Sequence, residues 1–173
     1  NIAGLDLFVI DAPHLYDRSG GPYGDATGAD WPDNWQRFAA PSRVGADIGE
    51  GQIGSFRPDI VHTHDWQSAL AVAYMHFGPA RDVPTVITVH NAGFQGHFPP
   101  PSMADVGLPW EFYNHHRFEG YGKRNMLKGG MACADAVTTV SPTHAHELRT
   151  EKGGFGLHDA FVAMRERFVG IIN

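Results

Sequence analysis

The sequence predicts an α/β domain, a parallel sheet with helices on both faces. Apolar, β-branched runs alternate with helical patterns along the whole chain of 173 residues, and this alternation is typical of parallel sheets. The predicted strands end in polar residues, and the ligands of such sheets bind outside the carboxyl ends of the strands. The length suits one domain with its own core, so we treat residues 1–173 as a single unit.

The first half of the chain contains three predicted strands and two long predicted helices. A continuous apolar run predicts a buried strand, and the segment after it is rich in Gly, Pro and Asp, which predicts a long loop. Asp33 or Asn34 is a suitable N-cap for the first helix, and Gly78 ends the second. The predicted elements are, in order, a strand at 5–11, a loop at 12–35, a helix at 34–51, a strand at 58–64, a helix at 66–78 and a strand at 84–91.

The second half begins with residues 92–121, which show no clear periodicity. A segment of this length without periodicity is usually functional or flexible in a compact domain. Helices and strands alternate again after it, and Ser141 followed by Pro142 is a typical helix start. The predicted elements are a helix at 123–134, a strand at 135–141, a helix from Pro142, a helix at 157–168 and a strand at 169–173. We expect Gly129 and Gly130, inside the first of these helices, to allow close helix packing.

Charge and composition argue against several classes of protein. The net charge is -6 and the pI is about 6.0, which argues against a nucleic-acid partner because such proteins present a basic face. No apolar stretch approaches the roughly 20 residues of a membrane span, and the first residues lack the basic region of a secretory signal. Cys133 is the only cysteine, so we expect no intrachain disulfide, a reducing compartment and a cytoplasmic protein.

Polar residues that end several predicted strands should meet along one edge of the sheet. These residues are His62, His64, Asp65, His90, Asn91, Ser141 and Asn173. His62 and His64 are two positions apart, so their rings would lie on one face of a strand. Together with Asp65 they offer nitrogen and oxygen ligands, which leaves a metal-dependent hydrolase as one alternative. In another interpretation Asp65 caps the following helix and His62 is a core histidine.

The segment 88–98 (TVHNAGFQGHF) is more specific. His90 and Asn91 end a buried strand, where a polar pair is costly unless it meets a partner or a ligand. Two glycines after them let the backbone turn closely around a bound group. The segment 110–121 then carries several aromatic rings, which either stack on sugar faces or pack the loop onto the domain. A non-catalytic glucan-binding module is therefore a further alternative.

Ten segments of the chain, in this order, resemble the bacterial glycogen synthase and starch synthase family. The segments are LDLFVIDAP, DRSGGPYGD, DNWQRFA, RPDIVHTHDWQSAL, TVITVHNAGFQG, LPWEFYN, KRNMLKGG, ADAVTTVSPTHAHEL, GGFGL and GIIN. They span nearly the whole sequence. The resemblance implies that the chain is part of an N-terminal, acceptor-side catalytic domain. It implies a Rossmann-like half of a two-domain GT-B-type glycosyltransferase, incomplete at its N-terminus.

The resemblance also implies an activity and a set of site residues. The activity is transfer of glucose from ADP-glucose, or UDP-glucose, to the non-reducing end of an α-1,4-glucan or maltooligosaccharide with retention of configuration. His90 and Asp65 are similar to the family's active-site residues near the donor glucose. The substrate-binding residues that the resemblance implies are Asn173, Asn91, Gln95 and Trp66. No cofactor and no metal are required.

Two parts of the family pattern have no counterpart in this sequence. One is the Lys-x-Gly-Gly-Leu loop that contacts the nucleotide diphosphate. Lys128–Gly130 is not that loop, because it lies in a predicted helix. The other is the second domain with the Arg, Lys and Glu that surround the donor. We therefore expect the isolated chain to be inactive. We also expect its sheet to lack central strands, which leaves apolar edges that favour self-association.

Overall fold

The computed structural model describes residues 3–100 and 102–173. The α-helices are α1 (Pro13–Tyr16), α2 (Asn34–Gly49), α3 (Asp65–Phe77), α4 (Ser102–Asp105), α5 (Met126–Cys133), α6 (Pro142–Leu148) and α7 (His158–Ala163). The strands are β1 (Val61–His64), β2 (Thr85–Val89), β3 (His97–Phe98), β4 (Glu119–Gly120), β5 (Lys123–Asn125), β6 (Ala136–Thr139) and β7 (Phe168–Gly170). Among these described residues, no helix has the length and apolar character needed to cross a membrane.

The main sheet of the described residues is parallel, with the strand order β1-β2-β6-β7. In its register Thr88 lies between His64 of β1 and Thr138 of β6. Parallel strands require crossover connections, and α3 and α5 lie in the connections between successive strands of this sheet. A small antiparallel sheet, β3-β5-β4, forms within the long irregular segment and its continuation. The predicted fold class, an α/β domain whose parallel sheet is flanked by helices, is confirmed.

Helix α3 is the central helix of the core. Its residues Ala69–Met75 are all buried, which is expected of a helix that is apolar on every side. It packs against both α2 and α5. The second approach is close because α5 carries Gly130, where an added Cβ would lie 2.7 Å from the Cβ of Ala69. At Gly129 an added Cβ would collide with the ring of Phe118. The expected role in close helix packing is confirmed for Gly130, whereas Gly129 makes room for the ring of Phe118 in the turn before β4.

The predicted strand at 5–11 is wrong. Residues 5–9 are exposed, with Leu5 at 64% and Val9 at 86% of full exposure. None of the strands β1–β7 pairs with this segment, and an apolar run forms a buried strand only where neighbouring strands accept and donate its backbone hydrogen bonds. Within this segment, the ring of Phe8 makes a tilted contact with the ring of Phe56, with centroids 5.9 Å apart.

The predicted helix at 123–134 begins later than expected. Lys123–Asn125 form β5, which pairs with β3 and β4. The side chain of Asn125 then accepts a hydrogen bond from the backbone N–H of Lys128 and caps α5. Asn is among the favoured N-cap residues, so the start of the helix is fixed by this cap rather than by the apolar periodicity. The irregular segment 92–121 likewise contains short elements, namely β3, α4, a 3-10 turn at Trp110–Phe112 and β4.

We predict that Gly130→Ala lowers the free energy of unfolding by about 1–3 kcal/mol, because the new methyl group overpacks the contact between α5 and α3. Urea unfolding followed by circular dichroism measures the change. The matched control is Gly45→Ala in α2, where the added Cβ would make an ordinary 3.4 Å contact with Ala71. That variant should be as stable as the parent or more so, since Ala favours helices by up to about 1 kcal/mol over Gly. Equal losses in the two variants would contradict the prediction.

Candidate active site

Asp65 joins the carboxyl ends of β1 and β2. Its Oδ1 accepts hydrogen bonds from the backbone N–H of His90, at 2.8 Å, and of Asn91, at 3.3 Å. The residue has φ of +53°, a left-handed conformation that Asp tolerates better than most residues. Strained backbone of this kind concentrates at functional sites, where the surrounding structure holds it in place. The first residue of α3 therefore fixes the turn that follows β2.

Three histidines lie together on this edge. Nδ1 of His64 and Nε2 of His90 are hydrogen-bonded at 3.0 Å, and the rings of His62 and His64 have centroids 4.4 Å apart. Burial lowers the pKa of His62, and the positive charge of protonated His64 or His90 lowers it further. The bond between His64 and His90 leaves Nδ1 of His90 as the ring nitrogen able to meet a ligand.

A chain of hydrogen bonds runs sideways across the sheet below these rings. Nε2 of His62 is bonded to Oγ1 of Thr88 at 2.6 Å, and Oγ1 of Thr88 is bonded to Oγ1 of Thr138 at 2.7 Å. The three residues belong to β1, β2 and β6. His62 is thus tied to the sheet through Nε2 as part of a polar row.

The described residues contain no group of three or more His, Cys, Asp or Glu side chains that would hold a metal ion. The structure therefore gives no support to the alternative of a metal-dependent hydrolase that uses His62, His64 and Asp65. One donor atom of each of these residues already has a protein partner. His64 bonds to His90, His62 bonds to Thr88, and Oδ1 of Asp65 accepts backbone N–H groups.

Asn91 shapes the turn that follows β2. Its side-chain Oδ1 accepts a hydrogen bond from the backbone N–H of Gly93 at 2.9 Å, which is the local geometry that Asn favours in turns. Asn91 and His90 are both exposed. Of the predicted site residues, the structure brings Asp65, His90 and Asn91 together at one open edge. We call these three residues the rim.

Gln95 lies below the rim, with 5% of its surface exposed. Its Nε2 donates to the backbone carbonyls of Ala92, at 2.8 Å, and of Phe155, at 2.9 Å. Its Oε1 accepts a 2.6 Å hydrogen bond from Nδ2 of Asn125. Both ends of the amide are therefore engaged with protein groups. Gln95 supports the turn from below and does not present its amide at the rim.

The same network includes His97. Nδ2 of Asn125 lies 3.1 Å from Nε2 of His97, while Oδ1 of Asn125 caps α5. The cap fixes the orientation of the amide, so Nδ2 donates and Nε2 of His97 accepts. This arrangement requires a neutral imidazole. Partial burial lowers the pKa of His97, and the charge of Lys123 lowers it further.

Trp66 is a core residue of this structure. The side chain is 8% exposed, and its ring meets Phe38 edge to face with centroids 4.6 Å apart. Gly96, at φ of +65°, passes under the ring so closely that an added Cβ would lie 2.6 Å from Cε3 of Trp66. The ring thus positions the turn by packing.

Asn173 is exposed beyond the end of β7. The sheet order places β6 between β7 and β2, the strand that precedes His90. Among the described residues Asn173 makes no hydrogen bond to Asp65, His90 or Asn91. The structure therefore places it at the same edge of the sheet but does not join it to the rim.

Phe155 is a residue that the sequence analysis missed. It lies in the segment GGFG, which sequence patterns indicate only as a turn. In the structure its carbonyl is bonded to Gln95 and its ring lies beside Gly93 of the turn after the rim. An aromatic residue between glycines is the signal that was available in the sequence.

A cavity lies away from the rim. It has a volume of about 630 Å³ and is bounded by the segment after Phe155, by α7 and by the turn around Tyr121. Its polar lining residues are His115, His116, Glu119, Lys128, His158 and Arg167. The rim residues do not line it. The chemistry argued from the strand ends therefore belongs to the open edge and not to this cavity.

The parallel sheet flanked by helices, with a polar rim at its carboxyl edge, defines the class of protein as a Rossmann-like α/β domain. A family model described as starch synthase catalytic domain matches residues 1–163. The chain belongs to this family.

Individual relatives agree with the family assignment. The chain is 54% identical to a glycogen synthase of Mesorhizobium japonicum over 99% of its own length and 36% of the relative's. It is 49% identical to glycogen synthase 2 of Bradyrhizobium diazoefficiens over 98% of its length and 35% of the relative's. The solved catalytic domain of starch synthase IV from Arabidopsis thaliana, bound to ADP and acarbose, superposes with a TM-score of 0.74 at 30% identity, over 87% of this chain and 31% of that one. The chain thus spans about a third of the length of these relatives.

We predict that Asp65→Ala exposes the backbone N–H groups of His90 and Asn91 to solvent exchange. The alanine removes the acceptor of both hydrogen bonds and cannot relieve the left-handed backbone. Hydrogen exchange followed by NMR should show protection at these two amides falling by about tenfold or more, which corresponds to about 1.4 kcal/mol. Asp65→Asn keeps an acceptor oxygen and tolerates the same φ, so it should retain most of the protection. Unchanged exchange in Asp65→Ala would show that the carboxylate does not hold the turn.

We predict that neutral His97 stabilises the fold in a pH-dependent way. Because the pKa of His97 is lowered below its ordinary 6.5 in the folded chain, the unfolded chain binds the proton more tightly. The contribution is therefore fully present above pH 6.5 and is lost as the pH falls from there through the folded-state pKa. Urea midpoints at several pH values between 8 and 5 measure it.

The variant His97→Gln removes the titration at this position. The difference in stability between the parent and His97→Gln should shrink as the pH falls, whereas His76→Gln, an exposed change on α3, should leave the pH profile unaltered. Parallel profiles for the parent and His97→Gln would contradict the prediction.

Proposed function

We propose that this chain is part of a glycogen (starch) synthase that transfers glucose from ADP-glucose to the non-reducing end of an α-1,4-glucan with retention of configuration. The observation that carries the proposal is the rim, in which Asp65 holds the turn that presents His90 and Asn91 at the carboxyl edge of the sheet. The family match and the names of the relatives support it. The ADP and acarbose bound to starch synthase IV support a nucleotide-sugar donor and a glucan acceptor.

The rim suits the chemistry of glucosyl transfer. Departure of the nucleotide leaves positive charge at the anomeric carbon and negative charge on the phosphate. The sugar hydroxyls need groups that orient them without reacting, and the free Nδ1 of His90 and the amide of Asn91 are groups of this kind. Asp65 stabilises the backbone turn and places a carboxylate beside it. No side chain of the rim has to act as a covalent nucleophile, since positioning supplies much of the rate enhancement.

The other predicted residues take different roles in this proposal. Gln95 and Trp66 position the turn from below, as a hydrogen-bonding support and a packing support. Asn173 contacts the donor sugar at the same edge. The charge of the phosphates is neutralised by groups elsewhere in the enzyme. The remaining parts of the donor site also lie outside the rim.

We also propose the wider setting of the chain. Residues 1–173 form the acceptor-side part of the catalytic domain, and the enzyme works in the cytoplasm without a cofactor. The exposed apolar side chains of residues 5–9 support the expected self-association of the isolated chain, which stays a prediction. The base of the donor, adenine or uracil, is read by residues that the rim does not include.

We predict that the complete product of the open reading frame that encodes this chain transfers radiolabelled glucose from ADP-glucose to maltoheptaose. His90→Ala should lower kcat/KM by about a hundredfold or more, the loss typical of removing one group that stabilises a transition state. The matched control is His76→Ala, which alters an exposed histidine at the other end of α3 and should keep full activity.

Two outcomes would contradict the proposal. One is the absence of transfer from both ADP-glucose and UDP-glucose while maltoheptaose still binds, which would favour a non-catalytic glucan-binding module. The other is full activity in His90→Ala. The 173-residue chain alone serves as the negative control and is expected to show no turnover.

A further inference from the structure

Phe155 combines two unfavourable features at one position. Its backbone has φ of +51°, a conformation that costs a bulky residue free energy. The residue is 55% exposed to solvent, so the side chain gains little from burial. Neither feature stabilises the folded chain. A residue that combines both features suggests a role other than stabilising the fold.

The backbone of Phe155 is nevertheless held firmly. Its carbonyl accepts the 2.9 Å hydrogen bond from Nε2 of Gln95. Gln95 is held in turn by the carbonyl of Ala92 and by Asn125, whose side chain is fully buried. A buried and fully paired amide network thus ties the turn of Phe155 to the turn that follows the rim. Such networks rigidify the groups they join.

The ring of Phe155 lies against the turn after the rim. A Cβ added to Gly93 would be 3.5 Å from Cε1 of Phe155 and 3.0 Å from Oδ1 of Asn91. Because position 93 has no side chain, the ring can lie next to the turn while its remaining surface stays open. The polar groups of His90 and Asn91 and this flat apolar surface are therefore neighbours on one edge.

We propose that the ring of Phe155 is a stacking surface for a pyranose ring of the substrate, beside His90. Sugars present an apolar C–H face, which aromatic rings bind, and a rim of hydroxyls, which hydrogen-bonding groups bind. The ring and the rim supply these two complementary surfaces. The inference rests on the proposed function. The pyranose is a glucose unit of the glucan acceptor or the glucose of the nucleotide-sugar donor.

The test is Phe155→Asn in the complete product of the open reading frame. Asn tolerates the left-handed conformation, so the variant should melt at the same temperature as the parent or higher. The KM for one substrate should rise by about three- to tenfold, the range expected when a stacking ring is lost. A rise confined to maltoheptaose assigns the ring to the acceptor, and a rise confined to ADP-glucose assigns it to the donor.

Two further variants separate stacking from a structural role. Phe155→Tyr keeps the ring and should keep the KM, whereas Phe155→Leu keeps bulk without a flat surface and should behave like Phe155→Asn. These two variants decide the matter if Phe155→Asn fails to fold. The matched control is Phe56→Asn, which removes a ring of similar exposure, 51%, from the segment before β1, at the opposite end of the strand from the rim.

The inference is overturned if Phe155→Asn and Phe155→Leu leave the KM of both substrates within about twofold of the parent, or if Phe155→Tyr loses as much as Phe155→Leu. In these cases turnover by the parent keeps the proposed function intact. Failure of the parent itself to turn over either nucleotide sugar overturns the proposed function and this inference together, so the two failures are distinguishable.

Discussion

The pair of hydrogen bonds from the backbone of His90 and Asn91 to the carboxylate of Asp65 is the constraint on which the candidate site depends. Strands β1 and β2 are neighbours in the sheet, but the ladder ends at their last residues and does not fix the turn beyond. The carboxylate of Asp65 fixes the backbone of the two residues that follow β2. It does so from a left-handed backbone, and the stability of the surrounding sheet and of α3 offsets that strain.

Below this surface the buried amides of Gln95 and Asn125 connect three separate pieces of chain. Asn125 ends β5 and caps α5, while Gln95 reaches the carbonyls of Ala92 and Phe155. The donors and the acceptor of each amide are all hydrogen-bonded. The network therefore stabilises the fold most when all of these hydrogen bonds are formed. The small antiparallel sheet is therefore coupled to the rim through side chains and not only through the chain connection.

Sequence periodicity predicted the alternation of strands and helices because each element of the main sheet carries its own local signal. The sequence of residues 5–11 also predicted a strand. A strand forms only beside neighbouring strands, and the sequence of a segment does not show whether such neighbours are present. The boundary at Asn125 depended on a cap that competes with the helical pattern. The rule for strand ends predicted that seven polar residues meet at one edge; of these, Asp65, His90 and Asn91 are hydrogen-bonded or adjacent there, whereas Asn173 is not joined to them.

The places where sequence reasoning failed at the site have a different cause. Gln95 and Trp66 lie in the right motifs, yet burial decides that one supports the turn and the other packs under it. Phe155 is distant in sequence from the rim and reaches it through a hydrogen bond between a side chain and a carbonyl. Tertiary contacts of this kind leave little trace in a single sequence. The row of His62, Thr88 and Thr138 has one more consequence. A threonine hydroxyl has a single proton to donate, so Thr88 cannot donate to both His62 and Thr138. When Nε2 of His62 carries no proton it accepts from Thr88, and Thr88 then accepts from Thr138, so the tautomer of one imidazole on β1 sets the direction of hydrogen bonds across three strands.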